Sequence, residues 1–207
     1  MDPSFPLATI TPTLDAGVLQ VLAATTSGCT AAEVHRRLGH GSDEGVRKVL
    51  ARLVRQGVVL TETPARYPAY RLNRDHLAVP HIEALTRIRD EIVANIRTEV
   101  ASWDVGPTHA GLFGSFARGE ADSDSDIDVL LVRMDPPGEL DEDAWLEQLD
   151  RLDRRIRAWT GNAAQIVDLT PTTLGLMARE ADPLVASWRA EGVHVHGENL
   201  RDLLRRL

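Results

Sequence analysis

The sequence predicts an α+β chain in two parts. A helical N-terminal unit closes with a two-stranded hairpin, and a C-terminal unit alternates short strands with helices. Three observations predict this. Apolar residues recur at helical spacing between Leu14 and Val54. Two strand-like runs, Val58–Thr61 and Ala69–Leu72, flank a polar tip that carries Pro64 and Pro68. From Ala110 onward, runs of Val, Ile and Leu alternate with amphipathic segments.

The elements follow in order. Pro3, Pro6 and Pro12 mark an irregular N-terminal arm. A first helix starts at Leu14 and ends near Thr25. Thr30, with Glu33 three residues on, forms a capping box for a second helix that carries Val34 and Leu38. Gly39-His40-Gly41 turns the chain. Ser42 caps a third helix with Val46, Val49, Leu50, Leu53 and Val54 on one side, and Gly57 stops it. Helix, helix-turn-helix and hairpin in this order make the layout of a winged helix-turn-helix over residues 1–79. Pro80 opens a long helix over 80–104, read as a linker. Its stripe (Ile82, Leu85, Ile88, Ile92, Ile96, Val100, Trp103) suits packing within the chain or pairing with a second copy as a homodimer. Residues 105–207 then give strands at Ala110–Phe113, Ile127–Val132, Ala164–Leu169 and Val193–His196. Between and after them come helices over Leu140–Trp159, from Pro171, over Pro183–Glu191 behind an Asp182 cap, and over Leu200–Leu207.

Composition sets limits on function. The chain has 207 residues, 43% hydrophobic and 26% charged, with a net charge of −8, which excludes long disorder and collagen-like structure. No apolar run approaches the ~20 residues of a membrane-spanning helix, so no membrane partner is expected. Met1-Asp2-Pro3-Ser4 does not begin a signal peptide. The single cysteine, Cys29, excludes an intrachain disulfide and fits a reducing cytoplasm. Residues 1–79 hold nine basic and seven acidic side chains, whereas residues 80–207 hold 14 basic and 24 acidic ones. A basic N-terminal face is therefore compatible with an acidic chain.

The chemistry concentrates in Gly114-Ser115-Phe116-Ala117-Arg118-Gly119 and Ser125-Asp126-Ile127-Asp128. Asp126 and Asp128 stand two apart at the start of an apolar strand. Period-two geometry points both carboxylates to one side, with Cα atoms about 6.5 Å apart. Such a repulsive pair suits a hard divalent cation, Mg²⁺ or Mn²⁺. Gly114 lets the backbone approach a ligand closely, Ser115 adds a hydroxyl, and the following helix start favours phosphate.

These residues resemble the signature of the nucleotidyltransferase superfamily with the DNA polymerase β-like fold. They are most similar to the minimal nucleotidyltransferases: Gly-Ser-x-Ala-Arg-Gly, then Ser-Asp-Ile-Asp. The resemblance implies a small mixed sheet flanked by helices, an NTP substrate and two Mg²⁺ or Mn²⁺ ions. It also implies a third carboxylate on a later strand, for which Asp168 is the candidate. Asp126, Asp128 and Asp168 would then be the catalytic, metal-holding residues of a two-ion nucleotidyl transfer. Gly114 and Ser115 would hold the β- and γ-phosphates. Arg118 would neutralise developing charge or pin the loop through Asp122 or Asp124. Glu120, Asp122 and Asp124 read as a solvated loop, and Asp141, Glu142 and Asp143 as a helix start that complements its dipole.

Residues Leu14 to about Asn73 resemble bacterial winged-helix regulators. On that likeness Arg47 is placed to reach a guanine edge of double-stranded DNA, Lys48 or Arg52 a phosphate, and Arg66 at the hairpin tip a minor groove. Cys29 reads as a packed thiol, and His194 and His196 as a surface pair or metal ligands. Three functions compete. One is a DNA-binding regulator or antitoxin-like element that transfers an NMP to a protein partner, nucleic acid or small molecule. Another is a winged-helix regulator that only senses nucleotide. The last is a small-molecule, antibiotic-type nucleotidyltransferase.

Overall fold

In the computed structural model, which describes residues 1–62, 67–133 and 142–207, the chain divides between Ile88 and Arg89 into an N-terminal and a C-terminal unit. The N-terminal unit runs α1 (Leu14–Ala23), β1 (Cys29–Thr30), α2 (Ala31–Leu38), α3 (Asp43–Arg55), β2 (Val59–Glu62), β3 (Ala69–Leu72) and α4 (Val79–Thr86). The caps explain the helix starts. Thr30 Oγ1 accepts from the Glu33 N–H at 3.3 Å, and Glu33 Oε2 accepts from the Thr30 N–H at 2.8 Å. Ser42 Oγ accepts from the Gly45 N–H at 3.0 Å. Each such cap contributes about 1 kcal/mol. The apolar sides of α1, α2 and α3 meet with β3, leaving Val18, Leu22, Val34, Val46, Leu50 and Leu72 with no exposed surface. Antiparallel pairing gives the order β1-β3-β2. The two-residue β1 was not expected, being too short to carry an alternation.

The expected 80–104 linker helix is corrected. It is interrupted at Arg87, which leaves helical geometry at φ −96° and ψ 2°, and α5 starts afresh at Ile88–Ala101. The apolar stripe serves two cores. Val79, Ile82 and Leu85 pack into the N-terminal one, whereas Ile92, Ile96 and Val100 are buried in the C-terminal unit. One continuous stripe in sequence is thus two stripes in space.

The C-terminal unit continues with β4 (His109–Phe113), α6 (Gly114–Arg118), β5 (Ile127–Val132), α7 (Glu142–Thr160) and β6 (Ala164–Leu169). Then come α8 (Pro171–Arg179), α9 (Pro183–Glu191), β7 (Val193–Gly197) and α10 (Leu200–Arg206). Asp141 and the expected helix start at Leu140 lie outside the described residues. The sheet order is β6-β5-β4-β7. β4 is antiparallel to β5 and β7, and β6 is parallel to β5, so the sheet is mixed. Alternation along β5 and β6 sorts the side chains. Leu130, Val132, Val167 and Leu169 join one core with Leu174, Val185, Trp188 and Leu203 from α8, α9 and α10. Ile127, Val129 and Leu131 take the opposite face. Among the described residues, no helix is long and apolar enough to cross a membrane.

Candidate active site

The site forms where β4 ends and β5 begins. Gly114 leaves β4 at φ +65°, in the left-handed region that suits glycine. Its missing side chain matters as much as its backbone. A Cβ at this position would occupy the space of the Asp128 carboxylate, which rests directly against the Gly114 backbone. Asp128 pairs across the sheet with Phe113 on one side and with Gln165 on the other. Asp126, just before β5, is exposed, and Asp128 is half-buried. Burial, and then the neighbouring Asp126 charge, push the Asp128 carboxyl above the usual carboxylate range, while Arg118 pulls it back. The carboxylate pair is therefore held together against its own repulsion, on an accessible part of the sheet.

The connection from Gly119 to Asp126 is built by its own polar groups. Asp122 Oδ1 accepts from the Asp124 N–H at 3.0 Å and from the Ser125 hydroxyl at 2.8 Å. The Asp122 N–H donates back to Ser125 Oγ at 3.0 Å. Asn162, which is 3% exposed, donates its amide to the Asp122 and Ser125 carbonyls at 3.1 and 2.8 Å. Sequence reasoning missed Asn162, because nothing in the chain at 162 signals a partner 40 residues earlier. It also missed Arg89, which donates to the Phe116 and Ala117 carbonyls at 3.0 Å each and so holds the C-terminal end of α6. Arg118 was expected to engage Asp122 or Asp124 if it pinned the loop. It pairs instead with Glu120 at 2.7 Å and with Glu191 of α9 at 3.1 Å. α6 has no side-chain cap, so the first-turn N–H groups beside Ser115 lack the satisfaction such a cap supplies.

Asp168 does not join Asp126 and Asp128, and this corrects the expectation of three converging carboxylates. In the parallel pairing Asp168 sits opposite Leu131, and Gln165 opposite Asp128. Paired residues share a face, so Asp168 points to the α7 side of the sheet. There its Oδ2 accepts from Trp145 Nε1–H at 3.0 Å, with Arg133 at 3.6 Å. The three-residue offset along the strand adds about 10 Å. Among the described residues, no three His, Cys, Asp or Glu side chains come together as a metal site. Burial raises the Asp168 carboxyl above its usual range, against the Trp145 hydrogen bond and Arg133. An acid whose folded pKa is raised destabilises the fold once ionised. Stability is therefore lost as pH climbs from the ordinary carboxylate range through the raised value, and levels off above it. In Asp168→Asn the amide oxygen still accepts from Trp145. We expect denaturation curves between about pH 4 and 8 to lack that loss, with nucleotide affinity unchanged.

In the N-terminal unit, α3 presents Arg47, Lys48 and Arg52 outward, but each has an acidic partner. Arg47 meets Asp43 at 2.6 Å, Lys48 meets Glu44 at 2.7 Å, and Arg52 meets Asp15 of α1. A groove between α3 and the β2–β3 hairpin is lined by Lys48, Arg52, Arg55, Thr61 and Tyr70. Arg66 lies outside the described residues. In the C-terminal unit a cavity of about 150 Å³ lies on the α9–α10 side of β4, bordered by His109, Phe113, Trp188 and His194. The rings of His109 and His194 are 5.7 Å apart, and burial lowers the pKa of both. Among the described residues, His194 and His196 belong to no group of three or more metal-ligating side chains. Cys29 is a buried free thiol.

Residues 93–169, which include Gly114, Ser115, Arg118, Asp126, Asp128, Asn162 and Asp168, match the family model of the nucleotidyltransferase domain. No curated protein gives a significant sequence match. Three solved structures are distantly similar. One is a toxin–antitoxin crystal structure with AMP-PNP (20% identity, 57% of this chain and 82% of that chain, TM-score 0.35). Another is a putative nucleotidyltransferase from Sulfolobus solfataricus (20%, 52% and 82%, 0.31). The third is TrmBL2, an archaeal chromatin protein described with a mode of DNA binding (17%, 84% and 71%, 0.27).

Proposed function

We propose that the C-terminal unit binds an NTP and transfers its NMP to an acceptor hydroxyl, and that the N-terminal unit, a winged helix-turn-helix, binds double-stranded DNA. The observation that carries the first half is the seating of the Asp128 carboxylate against Gly114, with the exposed Asp126 two residues before it. Two carboxylates and the phosphates of a nucleotide are a donor set that fits one Mg²⁺. When bound, the ion shields the triphosphate charge. Asp126 and Asp128 would hold it, while the Gly114–Ser115 turn would donate to the β- and γ-phosphates. Arg118 is positioned to leave its exposed partners Glu120 and Glu191 for a phosphate, since such surface pairs are worth under about 1 kcal/mol. In the reaction the acceptor oxygen forms a bond to the α-phosphorus. The bond from that phosphorus to the bridging oxygen breaks, pyrophosphate leaves, and the hydroxyl proton passes to solvent.

Arg47, Lys48 and Arg52 on one exposed helix, beside a groove bounded by the hairpin, support the DNA reading. Their acidic neighbours are exposed or partly exposed, so DNA phosphates compete against weak pairs. A second reading, nucleotide sensing without transfer, is favoured by the placement of Asp168 away from the site. The test uses [α-³²P]NTPs with Mg²⁺ and protein, RNA and aminoglycoside acceptors, alongside titration with random duplex DNA at several salt concentrations. Label transferred by the wild type supports the enzyme, and nucleotide binding without label supports the sensor. DNA binding that does not weaken with salt, or no binding, overturns the N-terminal assignment.

A further inference from the structure

The register of β5 and β6 decides which residue stands where a third carboxylate would be needed, and that residue is Gln165. It pairs with Asp128 in the parallel ladder, so their Cα atoms belong to adjacent strands about 4.8 Å apart. Its side chain leaves the sheet on the same face as Asp126 and Asp128, the face that Val167 and Leu169 share further along β6. Gln165 is exposed, so it is open to whatever the two aspartates hold. The nearest carboxylate further along the same strand, Asp168, is on the other face and is engaged by Trp145 and Arg133.

We propose that Gln165 makes this a one-cation site: the chain binds a single divalent ion with its NTP, and the second ion of a two-metal transferase has no carboxylate to hold it. The inference rests on the nucleotide-binding reading of Asp126 and Asp128. Its logic is one of charge. Two carboxylates with the phosphate oxygens supply the ligands of one divalent cation, since Mg²⁺ keeps several waters and takes one or two carboxylates plus phosphates. A second ion next to the first meets cation–cation repulsion at about 4 Å and needs a further anionic ligand to offset it. An amide oxygen is a neutral dipole and supplies far less. Removing that second ion also removes the group that would lower the pKa of the acceptor hydroxyl. Gln165 therefore sets both the metal stoichiometry and a slow intrinsic transfer rate, and Gln165→Asp supplies the missing charge at an exposed position where the substitution disturbs no packing.

The experiment is Mn²⁺ binding, followed by electron paramagnetic resonance, to the full chain saturated with α,β-methylene ATP, with the GTP, CTP and UTP counterparts in parallel. These analogues cannot transfer, so the readout is independent of turnover. The expected result is one tight Mn²⁺ per chain for the wild type and for Gln165→Asn, and two for Gln165→Asp. The second ion in Gln165→Asp should bind at least about tenfold more tightly than any second ion in the wild type, the effect of roughly 1.4 kcal/mol. Spin coupling between the two Mn²⁺ ions identifies them as neighbours. Two tight, coupled ions in the wild type, or one ion in both the wild type and Gln165→Asp, overturn the one-cation proposal while leaving the nucleotide site standing. No nucleotide-dependent Mn²⁺ binding in any variant overturns the nucleotide site itself and the proposal with it.

Discussion

Gly114→Ala is expected to reduce NTP affinity about 100-fold, the scale at which an ångström of misplacement in a reacting constellation is felt. Two effects act together. Alanine at φ +65° costs about 1–2 kcal/mol of backbone energy. The new methyl group also takes the volume where the Asp128 carboxylate sits, so that carboxylate must move. The two are separable, because Gly119, at the other end of α6, has φ +73° and no atom near a built Cβ. Gly119→Ala should lower stability by a similar 1–2 kcal/mol and leave NTP affinity within about twofold, a shift of under 0.5 kcal/mol. Isothermal titration with an unreactive NTP analogue, paired with thermal denaturation, reads both quantities. Equal loss of affinity in the two variants would show that backbone strain alone matters and that the Gly114–Asp128 contact has no role in the site.

Asp128→Asn separates function from stability in the opposite direction. Burial and the neighbouring Asp126 charge disfavour ionisation of Asp128, so the native fold carries an unfavourable charge at this position. Removing the charge relieves that cost, and the amide has nearly the same shape. The variant should be as stable as the wild type or more so near pH 7. Its affinity for Mg²⁺–NTP should fall about 10- to 100-fold, the worth of one charge-assisted ligand interaction, and NMP transfer should be lost with it. Enhanced stability with lost binding is the mark of a residue retained for its chemistry. A fall in stability with binding intact would place Asp128 among the structural residues.

Much of this was legible in the sequence, and what was not has definite causes. Thr30 with Glu33, Ser42, and Asp182 act locally, over two or three residues, and the structure has each capping the helix it precedes. Gly114, Asp126 and Asp128 come from a short segment whose spacing leads directly to their meeting. Asp168 failed because a strand shows which residues alternate but not which set faces which layer. Gln165 and Asp168 lie an odd number of positions apart, so any register that brings one to Asp128 turns the other away. The 80–104 segment failed for a related reason. Its apolar period is continuous, but periodicity does not say that Leu85 and Ile92 belong to different cores. The expected loop contacts of Arg118 with Asp122 or Asp124 do not form, and its partner Glu191 is 73 residues away and carries no local signal.

The measurement that tests the account most directly is a crystal structure of the full chain grown with Mn²⁺ and an α,β-methylene NTP, with anomalous data collected at the manganese edge. The account predicts one anomalous peak per chain, bridged by Asp126 and Asp128, with the triphosphate lying along Gly114 and Ser115 and Gln165 facing it without a second ion. Manganese bound at Asp168, or a nucleotide seated away from the Gly114 turn, would contradict it.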